Sequence, residues 1–403
     1  MTTSIKSTKS VNAAAVATFL IFGMNGLVFA SWAARIPAVT EALSLTSGQM
    51  GTLLLCTAVG SLLALPSAGW VVGRIGTANT VRVAGIVAGA AGAAIAFSLM
   101  AASVPATAVA LFFFGIGIGL WDVAQNIEGA DVEHRLKRTI MPQFHAAFSG
   151  GAFLGALIGA GLSQLGVGLP EHLLVIAAIA VTLALTVPKY FLPHQVAETN
   201  DAGVPAEKGP TAWRDARTLL IGVVVLGATL TEGAGNDWIA KAAVDGLGAS
   251  ESTGALLFAL FVLAMTIMRF LGGKAIDKFG RVSVLRASMA AAAVGLALFV
   301  FAGNVILAGV GAALWGIGAA LAFPMGMSAA ADDPKHAAAR VSVVSTIGYI
   351  AFLAGPPLLG YLGDHTGIHL ALLAIGAPIL LALLLAGVAK PLPAEEASEQ
   401  HSP

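Results

Sequence analysis

Apolar segments of about 20 residues recur twelve times along this chain, and nothing else in it limits the fold so strongly. They fall near 12–34, 48–71, 83–103, 106–130, 140–166, 173–190, 217–240, 252–272, 284–303, 304–330, 341–363 and 369–389. About 20 residues is what a helix needs to cross the hydrocarbon of a bilayer. Water is absent there, so each crossing must satisfy its own peptide groups, and a helix does so within the segment. The close splits at 103–106 and near 303 rest on Pro105 and on Gly303-Asn304, which read as turns. The expectation is an all-α membrane protein of twelve transmembrane helices.

Composition agrees, with 57% hydrophobic and only 10% charged residues, against about a quarter charged in soluble domains. The 48 glycines suit helices that approach closely in lipid. Lys6 and Lys9 precede an apolar run ending near Trp32, as in a signal peptide, but eleven further spans favour an uncleaved first helix. A net charge of zero excludes nucleic acid as a partner. The single cysteine, Cys56, excludes an intrachain disulfide and a thiolate metal cluster. Neither a Walker loop nor a nucleophile elbow is present, which argues against an ATP-driven pump or a hydrolase, and no cofactor is expected.

Basic residues set the orientation. With both termini in the cytoplasm, 18 of the 21 Lys and Arg fall on cytoplasmic segments. Only Arg35 and Lys241 fall outside, and Arg269 sits within the eighth span. The polar stretch 191–215 reads as a cytoplasmic linker between two six-helix bundles, 1–190 and 216–390, and 391–403 as a disordered tail.

The halves read as copies. Ser31-Trp32-Ala33-Ala34-Arg35 and Asp237-Trp238-Ile239-Ala240-Lys241 are offset by 206 residues. The loop Gly69 to Gly76 matches Gly273 to Gly280 at an offset of 204, and Gly115-Ile116-Gly117 matches Gly316-Ile317-Gly318 at 201. Parallel repeats of six helices imply a site between them near mid-membrane.

Gly273, Asp277, Lys278, Gly280 and Arg281 complete the loop signature Gly-x-x-x-Asp-Arg/Lys-x-Gly-Arg, whereas Gly73 stands in place of the acid in the first half. With WAARIP (32–37), MPQFHAAFSGG (141–151), EGAGNDW (232–238) and GYIAFLAGPPLLG (348–360), the chain resembles the major facilitator superfamily, in a bacterial branch related to fucose permease. The resemblance implies two pseudo-symmetric bundles, a bacterial cytoplasmic membrane, a carrier acid embedded in helix 4, and a gating role for the signature loop.

Ionisable groups inside a span are costly and are read first as functional. On helix 4, Asp122 and Asn126 share a face, with Gln125 beside them. Asp122 or Glu128 could be the carrier acid, while helix 1 offers only Asn25. Glu232 and Asn236 lie one turn apart on helix 7. The alternative is that these acids are structural, protonated or bonded to neighbouring helices. His145 is either a proton partner or a packed histidine near the interface. Trp315 and Tyr349 fall near the middles of their spans, where a polar-tipped ring can stack on a ligand; Trp32 and Trp238 read as an interfacial belt. Arg269, one turn before Gly273, can snorkel to the cytoplasmic side and join Asp277 and Arg340 in an inner gate.

The function expected is secondary transport of a small molecule by alternating access, by a monomer. Protons supply the energy through Asp122, with Glu232 or His145 as second station. Asn25, Gln125, Asn126, Asn236, Trp315 and Tyr349 are the substrate contacts expected. With no cation at mid-membrane, the cargo is expected to be a neutral sugar, a polyol or an amphipathic compound. A uniporter, an exporter and a non-transporting membrane sensor are the alternatives.

Overall fold

The computed structural model describes residues 2–138, 140–193, 212–333 and 336–392, and their side chains except those of residues 2–9 and Ala338. Most of the expected linker (194–211) and tail (393–403) lies outside the described residues, as do Lys208 and Lys335. Eleven helices are long and apolar enough to cross a membrane. One of them, Ser47–Met100, has 54 residues, about 80 Å of helix, far more than one crossing needs. It breaks at Gly76, whose φ of 79° and ψ of 162° are closed to residues with a Cβ. It therefore makes two crossings, and the total is twelve.

In order, span 1 is Thr2–Ala33, followed by a short helix, Ile36–Ala42; spans 2 and 3 are 47–75 and 77–100. Spans 4 to 6 are Val104–Leu136, Met141–Gln164 and Leu169–Thr186, the last continued by a 3-10 turn. Spans 7 to 11 are Ala216–Leu247, Glu251–Phe279, Arg281–Val300, Val305–Ala330 and Ala337–Thr366. Span 12 is Ile368–Ala389. Polar caps start many of them: Thr46 forms a capping box with Gln49, and Ser103, Asp215, Ser250 and Asn304 accept from amides in their first turns.

Twelve crossings put the start of span 1 and the end of span 12 on one face, called here the basic face because its segments carry most of the Lys and Arg. The repeat is visible in the backbone. Gly280, between spans 8 and 9, has φ 79° and ψ 154°, the counterpart of Gly76 at the same offset of 204 residues. The same offset relates two buried acids that tie each bundle together at the basic face. Glu128 accepts from Thr77 Oγ1 (2.6 Å) and from the amide of Leu192 (2.7 Å). Asp332 accepts from Arg281 (2.9 Å) and Arg217 (2.9 Å), which in turn reach the carbonyls of Ala389 and Lys390. Each acid thus joins the residue after the broken-helix glycine to the end of the last span.

Glu128 is 2% exposed and turned into its own bundle, where its bonds brace span 3 and the end of span 6. Glu128→Ala should destabilise the protein by about 1–3 kcal/mol, because it strands the Leu192 N–H and the Thr77 hydroxyl. Thermal unfolding in detergent reads the loss, and ligand affinity should stay near wild type.

The tryptophans depart from expectation. Trp32 and Trp238 are 3% and 0% exposed, buried inside the bundles and not in an interfacial belt. An indole in a span rich in glycine and alanine fills the space the small residues leave. Trp70 is exposed instead, with the Arg74 guanidinium 4.8 Å from its ring centre.

Candidate functional site

The two bundles meet through spans 2 and 11 and through spans 5 and 8. Among the described residues, every side-chain hydrogen bond or ion pair that joins them lies toward the face opposite the basic one. Arg35, 3% exposed, pairs its Nε with Glu251 at the start of span 8 and donates from Nη2 to the Val167 carbonyl (3.2 Å). Ser163 donates to the other oxygen of Glu251 (2.7 Å), and Ser252 to Gln164 (3.3 Å). On the other side of the seal, Asp364 accepts from the Thr46 hydroxyl (3.0 Å) and the Gly48 amide (2.9 Å) at the start of span 2. Glycine makes this seam possible. A Cβ on Gly51 would strike the Pro356 carbonyl, and one on Gly360 the Ser47 carbonyl. No such link joins the bundles at the basic face among the described residues. Among the described residues, the side-chain links between the bundles are thus confined to the far face.

Below the seal, polar side chains from both bundles face one another. Glu232, sixteen residues into span 7 and so about 24 Å from its basic end, pairs with Arg269 Nη2 of span 8 at 2.8 Å. Their side chains are 22% and 32% exposed, which in a span means an aqueous cleft, since neither charge is stable against lipid. Arg269 Nε also reaches the Ala320 carbonyl (3.4 Å). Across the bundle interface, His145 of span 5 is exposed, meets Phe22 edge-on, and is close enough to Arg269 for their charges to interact. Asp122 of span 4 is near enough to Tyr349 of span 11 for its charge to act on the phenol. Asp122 accepts from Gln125 Nε2 (3.0 Å) and Asn126 Nδ2 (3.3 Å), so its carboxyl is held by two amides of its own helix and by no cation.

Two curated proteins match this chain over nearly its whole length. The transporter y4wD of Sinorhizobium fredii is 32% identical over 372 residues, covering 92% of this chain and 96% of that one. An MFS-type transporter of Yersinia pestis, YPO1221/y2967, is 31% identical over 378 residues, 93% and 94% of the two chains. The family model described as Major Facilitator Superfamily matches residues 235–402. The chain belongs to the major facilitator superfamily. Among solved structures, the nucleoside transporter NupG superposes with a TM-score of 0.73 at 13% identity, over 93% of this chain and 98% of that one. The Escherichia coli fucose:proton symporter FucP does so with a TM-score of 0.63 at 15% identity, over 95% and 100%. At such identities the likeness is one of fold.

Within this major facilitator fold, the site residues expected from sequence divide. Asp122, Asn126, Glu232, Asn236, His145 and Tyr349 are at least partly exposed within their spans. Three others are closed off. Asn25 is 0% exposed and its amide has no partner among the described residues. Trp315 is 0% exposed, donates to the Thr231 carbonyl (3.0 Å) and packs edge-on to Phe261 and Phe299. Gln125 is 0% exposed, and its one side-chain hydrogen bond among the described residues goes to Asp122.

The gate assignments change too. Arg269 is not in an inner gate with Asp277, because Glu232 holds it about 15 Å from the basic end of its span. With it goes the premise that the cleft lacks a cation. Arg281 braces its own bundle through Asp332. Arg340 pairs with Asp215 (3.4 Å) and Asp333 (3.5 Å) and not with Asp277. Asp277 and Lys278 are exposed on the open basic face, and Gly273 and Gly280 have free space around them.

The seal residues Glu251 and Asp364 were passed over because orientation is read from basic residues alone. Asp237, which lines a small closed pocket between spans 7 and 11, was legible only as part of the repeat.

Proposed function

We propose that this protein is a proton-coupled secondary transporter that moves a small polar molecule across a bacterial cytoplasmic membrane by alternating access, the basic face being cytoplasmic. The observation that carries this reading is one arrangement: part-exposed ionisable groups of both bundles lie within the spans, beneath side-chain links that the described residues make on the far face and not on the basic one. A carrier needs a site that two gates expose in turn, and the state described here is the inward-facing half of that cycle. Asp122 serves as the first proton station and Glu232 as the second, with His145 at the mouth toward the cytoplasm. Asn126, Asn236 and Tyr349 supply hydrogen bonds to the cargo. The signature loop from Gly273 to Arg281 closes the cytoplasmic side when the far face opens, and the bundles rock as units because Glu128 and Asp332 brace each one internally. NupG, a nucleoside transporter, and FucP, a fucose:proton symporter, lend the reading support as proteins of like fold.

The test is reconstitution in liposomes with an imposed pH gradient, a library of labelled metabolites and an internal pH dye. Uptake that carries protons with it and collapses when the gradient is dissipated is the expected result. Saturable flux with no proton movement would make the protein a uniporter.

A further inference from the structure

Arg269 and Glu232 form a closed pair within the spans, and this has a consequence for the cargo. The guanidinium spends Nη2 on Glu232 and directs Nε to the Ala320 carbonyl, while a third of its surface remains open to the cleft. Glu232 has no other hydrogen-bond partner among the described residues. An arginine offers a planar fork that matches a carboxylate. An anionic group entering the cleft can therefore take the place of Glu232 on Arg269. The displaced glutamate would then be a second negative charge in a water-poor site, which is costly unless it takes up a proton.

Resting on the proton-coupled reading above, we propose that the cargo is a small hydroxylated monocarboxylate. Its carboxylate replaces Glu232 on Arg269, and a proton binds Glu232 in the same step. The balance is one anion and one proton taken up together and released together. No covalent bond is made other than the O–H of the glutamic acid, and the step carries no net charge. Asp122 and Asn126 of the facing bundle, with Tyr349 of span 11, suit the hydroxyls of such a molecule, and Asp122 passes the proton between Glu232 and water.

The charged group in contact with Glu232 is Arg269 from span 8; His145 from span 5 lies near Arg269, Asp122 from span 4 lies near Tyr349 from span 11, and Asp237 is farther along span 7. Spans 10 and 12 and the short helix Ile36–Ala42, which also pack on span 7, add only Glu41 and His369 at the far end, the latter held by the Ala242 and Val300 carbonyls.

The experiment is equilibrium binding to the purified protein, followed by thermal shift and by calorimetry in buffers of different ionisation enthalpy. The probes are hydroxylated monocarboxylates of three to six carbons, each beside its uncharged alcohol or aldose. The proposal expects an acid to bind where its neutral counterpart does not, with one proton taken up. Its affinity should fall about tenfold per pH unit as pH rises, because binding requires a proton that ionised Glu232 lacks. Glu232→Gln should bind the same acid tightly and with little pH dependence, and Arg269→Ala should lose it. Glu232→Asp, which keeps the charge, should retain the wild-type slope and checks that the fold survives substitution there. Preference for the neutral partners, acid binding without proton uptake, or no binding by any acid each overturns the proposal. Binding and proton-coupled uptake of a neutral polyol would do so while leaving the transport reading intact.

Discussion

Replacing Glu251 by alanine should open the far face. In the sealed state Arg35 is buried, and Glu251 is its one carboxylate partner among the described residues. Removing one member of a buried pair leaves a charge without compensation, at about 3–5 kcal/mol, whereas exposed pairs contribute about 1 kcal/mol or less. Glu251 is 24% exposed, so the cost lies between these limits. A value of about 2 kcal/mol shifts the balance between sealed and open states roughly thirtyfold. A cysteine at position 236 in a Cys56→Ala background reports it, because that site lies in the cleft below the seal. A membrane-impermeant maleimide added from the far side should label the Glu251→Ala protein and spare the otherwise unaltered one. Equal labelling of the two would mean that the pair does not hold the gate. Asp364→Ala should act in the same direction but less, because Asp364 bonds the start of span 2 from an exposed position.

Asp122→Asn should abolish uphill transport driven by a pH gradient while leaving exchange of labelled for unlabelled cargo in place. Asparagine keeps the size of a protonated aspartic acid and can still meet Gln125 and Asn126, but it can neither take nor release a proton. Exchange needs no net proton release, so it survives loss of a proton station. If Asp122 were structural, both activities would stay near wild type; if it chiefly held cargo, both would fall together with affinity. Driven transport and exchange on one preparation separate the three cases. Intact driven transport would remove Asp122 from the mechanism.

How far the site was legible from sequence varies residue by residue, for one physical reason. A span in lipid is apolar all round, and lipid tails are as apolar as the protein interior, so hydrophobic periodicity does not say which face is buried. Trp315 and Asn25 were read as cargo contacts from depth alone, and the structure turns both into packed interior. Asp122 and Glu232 were found because a carboxylate in a span is costly wherever it points. Arg269 was found as well but placed in the wrong company: a snorkelling stem and a partner 37 residues away satisfy its charge equally well in one dimension.

From sequence alone came the twelve crossings, including the pair fused across Gly76, the doubling of a six-helix unit and the basic face. All three follow from rules the bilayer imposes segment by segment: a length to span, peptide groups to satisfy and basic residues to retain on one side. Tertiary structure alone decided which distant charges meet. It set Arg35 on Glu251 to seal one face, Glu232 on Arg269 at the centre, and Asp332 against Arg281. Such pairings depend on how each helix is rotated and how the bundles are tilted, and those are settled by glycine-sized packing between helices that leaves no mark on hydropathy.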